Sequence, residues 1–124
     1  MMVLRSLVSV VDDDESVRES LPDLLNELGF AAQTYASAEA FLASDKVDVT
    51  GCLILDIAMP GMSGPELVHE LNHLKKRVPV IFITAHGDGK TGSELIGAGV
   101  VACLLKPFSE SALLEALHAA FGEH

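Results

Sequence analysis

Five short apolar runs alternate with stretches of helical spacing along this chain, and that alternation leaves few folds open. The runs cover 7–11, 31–35, 52–55, 80–83 and 100–105. After the first, Val17, Leu21, Leu24, Leu25 and Leu28 recur at i, i+4, i+7, i+8 and i+11, which is one face of a helix. Gly29 is placed to end that helix. Ser37 can cap a short helix carrying Ala40 and Phe41, and Ser109 a final helix whose Leu113, Leu114, Leu117 and Phe121 share a face. Ser63 and Glu66 have capping-box spacing ahead of Leu67, Val68 and Leu71. Runs that are apolar throughout, such as Leu53-Ile54-Leu55 and Val80-Ile81-Phe82-Ile83, suit strands covered on both faces. Strand and helix in strict alternation predict a parallel five-stranded sheet with right-handed crossovers, an α/β sandwich of five βα units.

At 124 residues the chain has room for one core, so residues 1–124 are expected to form a single domain with its core at about 7–121. The formal net charge of −10 repels phosphate backbones and argues against direct nucleic-acid binding. Cys52 and Cys103 lie within apolar runs and read as buried thiols in a reducing compartment. No uncharged stretch is longer than the eleven residues of 95–105, well short of the about 20 residues a membrane helix needs. With no targeting signal either, the expected location is the cytoplasm, away from membranes. The stretch 87–99 is the weakest helix, because Gly89, Gly92 and Gly97 each cost roughly 1 kcal/mol relative to Ala.

The chemistry shows at the ends of the runs. Val11 leads into Asp12-Asp13, Leu55 into Asp56, Ile83 into Thr84 and Leu105 into Lys106. In an open parallel sheet these points gather at the carboxyl edge, where ligands bind. Three carboxylates at ~4 Å and an effective dielectric of ~20 repel by about 4 kcal/mol per pair, and a single lysine cannot offset that. A hard divalent cation such as Mg²⁺ can, since it takes oxygen ligands and leaves positions for water and phosphate. Taken singly, these residues have plainer uses. Acids ahead of a helix ordinarily serve its N-terminus, with Asp14 the better cap; a lone Asp such as Asp56 forms a turn; Lys106 is a solvated charge. His69 and His73 at i, i+4 lack the Glu placement of a zinc-protease motif.

Together, Val11-Asp12-Asp13, Leu55-Asp56 followed by Met59-Pro60-Gly61, Ile83-Thr84-Ala85 and Lys106-Pro107-Phe108 resemble the receiver domain of two-component response regulators, above all receivers that precede a helix-turn-helix output domain. The resemblance runs from about Leu7 to Phe121. It implies a flavodoxin-like (βα)5 fold, strand order 2-1-3-4-5, in which Asp56 is the phosphoacceptor for a sensor histidine kinase or phosphotransfer protein. It further implies a Mg²⁺ site formed by Asp12, Asp13, Asp56 and the Ala58 backbone carbonyl. Thr84, the Ala85 amide and Lys106 would bind the phosphoryl group, with Lys106 pairing with Asp56 when phosphate is absent. Pro60, Gly61 and Pro107 would shape the loops, with the Lys106–Pro107 bond often cis. Signalling to a C-terminal or separate output domain, and homodimerisation, would use the surface of the fourth helix, fifth strand and fifth helix.

Two positions depart from the family. Where receivers carry a switching aromatic beside Thr84, this chain has Cys103, and Leu105 stands where an acid is common. An interaction module that keeps the fold but switches weakly or not at all is therefore an alternative. A phosphatase with an Asp nucleophile is a third reading, against which stands Ala58 where such enzymes place a second acid.

Overall fold

The computed structural model describes residues 6–85 and 99–122. Each predicted apolar run is a strand: β1 (Leu7–Val11), β2 (Ala31–Tyr35), β3 (Cys52–Asp56), β4 (Val80–Thr84) and β5 (Val100–Leu105). They form one parallel sheet in the order β2-β1-β3-β4-β5, the expected flavodoxin-like arrangement. The helices are α1 (Glu15–Glu27), α2 (Ala38–Leu42), α3 (Gly64–His73) and a C-terminal helix (Glu110–Ala120). The helix expected across 87–99, with His86 before it, lies outside the described residues.

Local chemistry accounts for the helix boundaries. Asp14 caps α1 by accepting from the Ser16 amide, and the Ser37 and Ser109 hydroxyls accept from Ala40 and Ala112. The predicted capping box of α3 is present in both directions, Glu66 amide to Ser63 and Ser63 amide to Glu66. Pro22 lies inside α1 without ending it. The hydrogen bond it forfeits is outweighed by burial of Leu21 and Leu25 on either side.

Two apolar clusters flank the sheet. On one face, Leu21 and Leu25 of α1 and Leu113 and Leu117 of the C-terminal helix pack on Val8, Val10, Ile54, Ile81 and Ile83. On the other, Phe41 of α2 and Leu67, Val68 and Leu71 of α3 pack on Leu53, Leu55 and Phe82. Full burial of side chains this size contributes about 1.5–3 kcal/mol each. β3 is buried along its whole length, whereas β5, at the sheet edge, is half-exposed and ends in an exposed Leu105. An irregularity sets that edge: Val80 pairs with Val100 but Ile81 with Ala102, so Val101 is an extra residue. Cys103 then stands opposite Phe82. It is only partly buried, which corrects the expectation of two buried thiols; Cys52 alone is fully enclosed. Among the described residues no helix is long and apolar enough to cross a membrane.

Candidate functional site

The carboxyl edge of the sheet collects the predicted residues. Asp12 follows the last residue of β1 and is fully buried, Asp13 beside it is exposed, and Asp56 ends β3 and is 7% exposed. One carboxylate oxygen from each lies within 4.8 Å of the others. Lys106, directly after β5, donates to Asp12 Oδ2 at 2.8 Å and stands 3.9 Å from Asp56 Oδ2. The expected pairing of Lys106 with Asp56 is present, and a shorter bond to Asp12 stands beside it. Asp12 is the more deeply buried acid, so its charge gains most from a partner. Thr84 ends β4 and is buried, and its carbonyl accepts from the Lys106 amide at 2.7 Å. Ala85 beyond it is exposed. The Lys106–Pro107 peptide is cis.

The electrostatics follow from this crowding. Burial first, and the neighbouring Asp12 charge second, push the Asp56 carboxyl up to about 7 against the pull of Lys106. Burial works against the Lys106 ammonium, yet Asp12 and Asp56 raise its proton affinity above the usual value. Burial alone pushes the Cys52 thiol up to about 12 and the Cys103 thiol upward, so neither is an activated nucleophile.

Among the described residues, the ligand atoms that converge here are three carboxylate oxygens, a hard oxygen set that fits Mg²⁺. The loop after β3 adds to the frame. Ala58, exposed at its start, donates its amide to Asp56 Oδ1 at 3.3 Å. Pro60 and Gly61 follow, Gly61 with φ +74°, while Met59 and Met62 pack against the core beneath. A groove of about 910 Å³ lined by Lys75, Lys76, Arg77, Val78 and Pro79 lies at the opposite, amino edge, away from the carboxylates. There Lys76 donates to Asp48 Oδ1 at 2.6 Å, with both side chains exposed.

Sequence reasoning missed three supporting residues. Arg18 of α1 donates to the Asp12 carbonyl at 2.9 Å. Glu39 of α2 accepts from the Met62 amide at 3.2 Å. A side chain at Gly64 would put its Cβ 2.5 Å from the Asp56 carbonyl oxygen, so α3 can approach β3 this closely only with glycine there. The sole sequence signal was Gly64 at the start of a capped helix; the other two contacts span 6 and 23 positions and leave no motif.

Comparison with known proteins agrees with this geometry. A family model described as the response regulator receiver domain matches residues 8–118. The transcriptional regulatory protein FixJ of Rhizobium meliloti is 44% identical over 117 residues, 94% of this chain and 57% of that protein. The response regulator protein TodT of Pseudomonas putida is 40% identical over 93% of this chain and 51% of its own length. The chain thus spans about half the length of the curated relatives it matches. Among solved structures, the crystal structure of FixJ-N superposes with a TM-score of 0.85 at 41% identity, covering 98% of each chain. The response regulator StyR gives 0.88 at 44%, over 96% of this chain and 60% of StyR.

Proposed function

This chain belongs to the response regulator receiver domain family, and from that premise we propose that Asp56 accepts a phosphoryl group from a phosphohistidine on a sensor histidine kinase or phosphotransfer protein. The observation that carries this reading is the convergence of Asp12, Asp13 and Asp56 with Lys106 reaching two of them. In the transfer an Asp56 carboxylate oxygen bonds to phosphorus as the N–P bond breaks. The electron pair goes to the imidazole nitrogen, which takes up a proton, and Asp56 is left as an acyl phosphate. Lys106 offsets charge on the phosphoryl oxygens, and the Thr84 hydroxyl and Ala85 amide donate to them.

Asp12, Asp13, Asp56 and the Ala58 carbonyl are the groups that would hold Mg²⁺. When bound, the ion supplies the positive charge that offsets three carboxylates and favours ionised Asp56. The domain is an acceptor that assists its own phosphorylation and dephosphorylation, not an enzyme acting on other substrates. Its output would pass from Thr84 to β5 and the C-terminal helix, toward a following or separate output domain, or a second copy. Direct contact with nucleic acid or membrane forms no part of this reading, and the proposed setting is the cytoplasm. The complete set of polar groups favours this acceptor over an interaction module that does not switch, even with Cys103 at the aromatic position.

Incubation with a radiolabelled acyl phosphate tests the proposal. Label is expected to enter only with Mg²⁺ present and to be released by hydroxylamine, as an acyl phosphate would be. Label that enters without a divalent cation, or resists hydroxylamine, overturns it.

A further inference from the structure

The segment 57–63 carries the Ala58 carbonyl and is tied down at its ends. The Ile57 amide donates to the Ile83 carbonyl at 3.1 Å, the Gly64 amide to the Ile57 carbonyl at 3.0 Å, and the Ser63 amide to Glu66 at 2.9 Å. Between Ala58 and Ser63, among the described residues, one bond reaches a different element: the Met62 amide donates to Glu39 Oε2 at 3.2 Å. The approach is close. At Gly61, whose φ of +74° turns the chain toward α2, a Cβ would stand 2.9 Å from the same carboxylate oxygen. α2 is itself a firm post, capped by Ser37 and anchored by the fully buried Phe41.

We propose that Glu39 is a positioning residue for the acidic pocket. Its carboxylate tethers the Met62 amide, holds the loop after β3 in one conformation, and so fixes where the Ala58 carbonyl presents itself to a cation. An acid in the first turn of a helix ordinarily just complements the helix dipole. Here its oxygen is committed to a loop 23 residues away, and a bond to an ionised acceptor is stronger than a neutral one. Groups that orient metal donors are part of the affinity. Because this bond is exposed, its effect is modest, about threefold to fivefold.

The inference rests on the receiver reading, and two measurements separate them. In metal-free protein, exchange of the Met62 amide is followed by NMR in wild type, Glu39→Ala and Glu39→Gln. In parallel, Mg²⁺ affinity is measured by calorimetry. Glu39→Ala is expected to speed Met62 exchange and weaken Mg²⁺ binding by about threefold to fivefold. Glu39→Gln, which keeps an acceptor oxygen without the charge, should stay within about twofold of wild type in both. Unchanged Met62 exchange in Glu39→Ala overturns the tether. Equal weakening of Mg²⁺ binding in both variants overturns it too, since that marks a general charge effect. Wild-type protein that takes up no Mg²⁺ instead overturns the pocket of the preceding section, and with it any role of Glu39 in cation binding, while Met62 exchange still decides whether the tether exists.

Discussion

β3 and β5 each deliver one charged group to the same pocket, and they do so from opposite surroundings. β3 is buried at every residue between β1 and β4, under helices on both faces, and sets Asp56 where packing leaves it no freedom. β5 is a half-exposed edge strand with an extra residue at Val101, and Lys106 follows directly on its last residue, Leu105. The proposed acceptor stands on a strand that packing encloses along its whole length. The counter-charge, and the Cys103 position that would report on it, stand on the part held by fewer neighbours. A switch needs that asymmetry, because a group that responds to phosphorylation has to move more cheaply than the group that is phosphorylated.

The comparison can be broken most sharply at Lys106 and at Gly64. Lys106→Met leaves Asp12 buried beside Asp56 without its short ion pair, and should cost about 3 kcal/mol in metal-free thermal or urea unfolding. Saturating Mg²⁺ should return much of that stability. Gly64→Ala drives a Cβ against the Asp56 carbonyl oxygen and should destabilise by about 1–3 kcal/mol, read in the same unfolding curves. If either change proves harmless, β3 and its partners are less rigidly set than their burial implies.

Smaller effects sharpen the contrast. The raised Asp56 value means that the folded metal-free protein holds a proton which the unfolded chain, with its ordinary carboxylate at 3.8, gives up. The group therefore costs stability as pH rises from about 4 to about 7. Asp56→Asn should remove that loss and raise the metal-free melting temperature at pH 8. Mg²⁺ must displace the same proton, so its affinity should rise about tenfold between pH 6 and pH 8. Last, one substitution can be made on both strands. Cys52→Ser buries a hydroxyl in an apolar cluster and should cost about 2 kcal/mol, whereas Cys103→Ser should cost under about 1 kcal/mol. Equal costs would mean that centre and edge do not differ as described.

Much of β3 was legible beforehand because burial leaves a plain mark: an unbroken apolar run closed by one acid. The helix caps at Asp14, Ser37, Ser63 and Ser109 were legible for a similar reason, since each bond is made within three residues. That Lys106 stands closer to Asp12 than to Asp56 was not. Asp12 and Asp56 are both acids at strand ends, and which one takes the short bond depends on burial that only the assembled sheet defines. The half-exposure of Cys103 was hidden because an edge strand and a central strand can carry the same apolar letters. The Glu39 and Arg18 contacts join separate elements through backbone groups, which have no side-chain identity for a motif to show.

Asp56, the crowded acid at the end of β3, is the proposed acceptor, and no other acid of the pocket shares that role. Intact-mass measurement after treatment with an acyl phosphate and Mg²⁺, with peptide mapping, tests it most directly. One phosphoryl group per chain is expected, mapped to Asp56 and lost in Asp56→Asn. No gain in mass by the wild-type protein, or an undiminished gain by the variant, would contradict it.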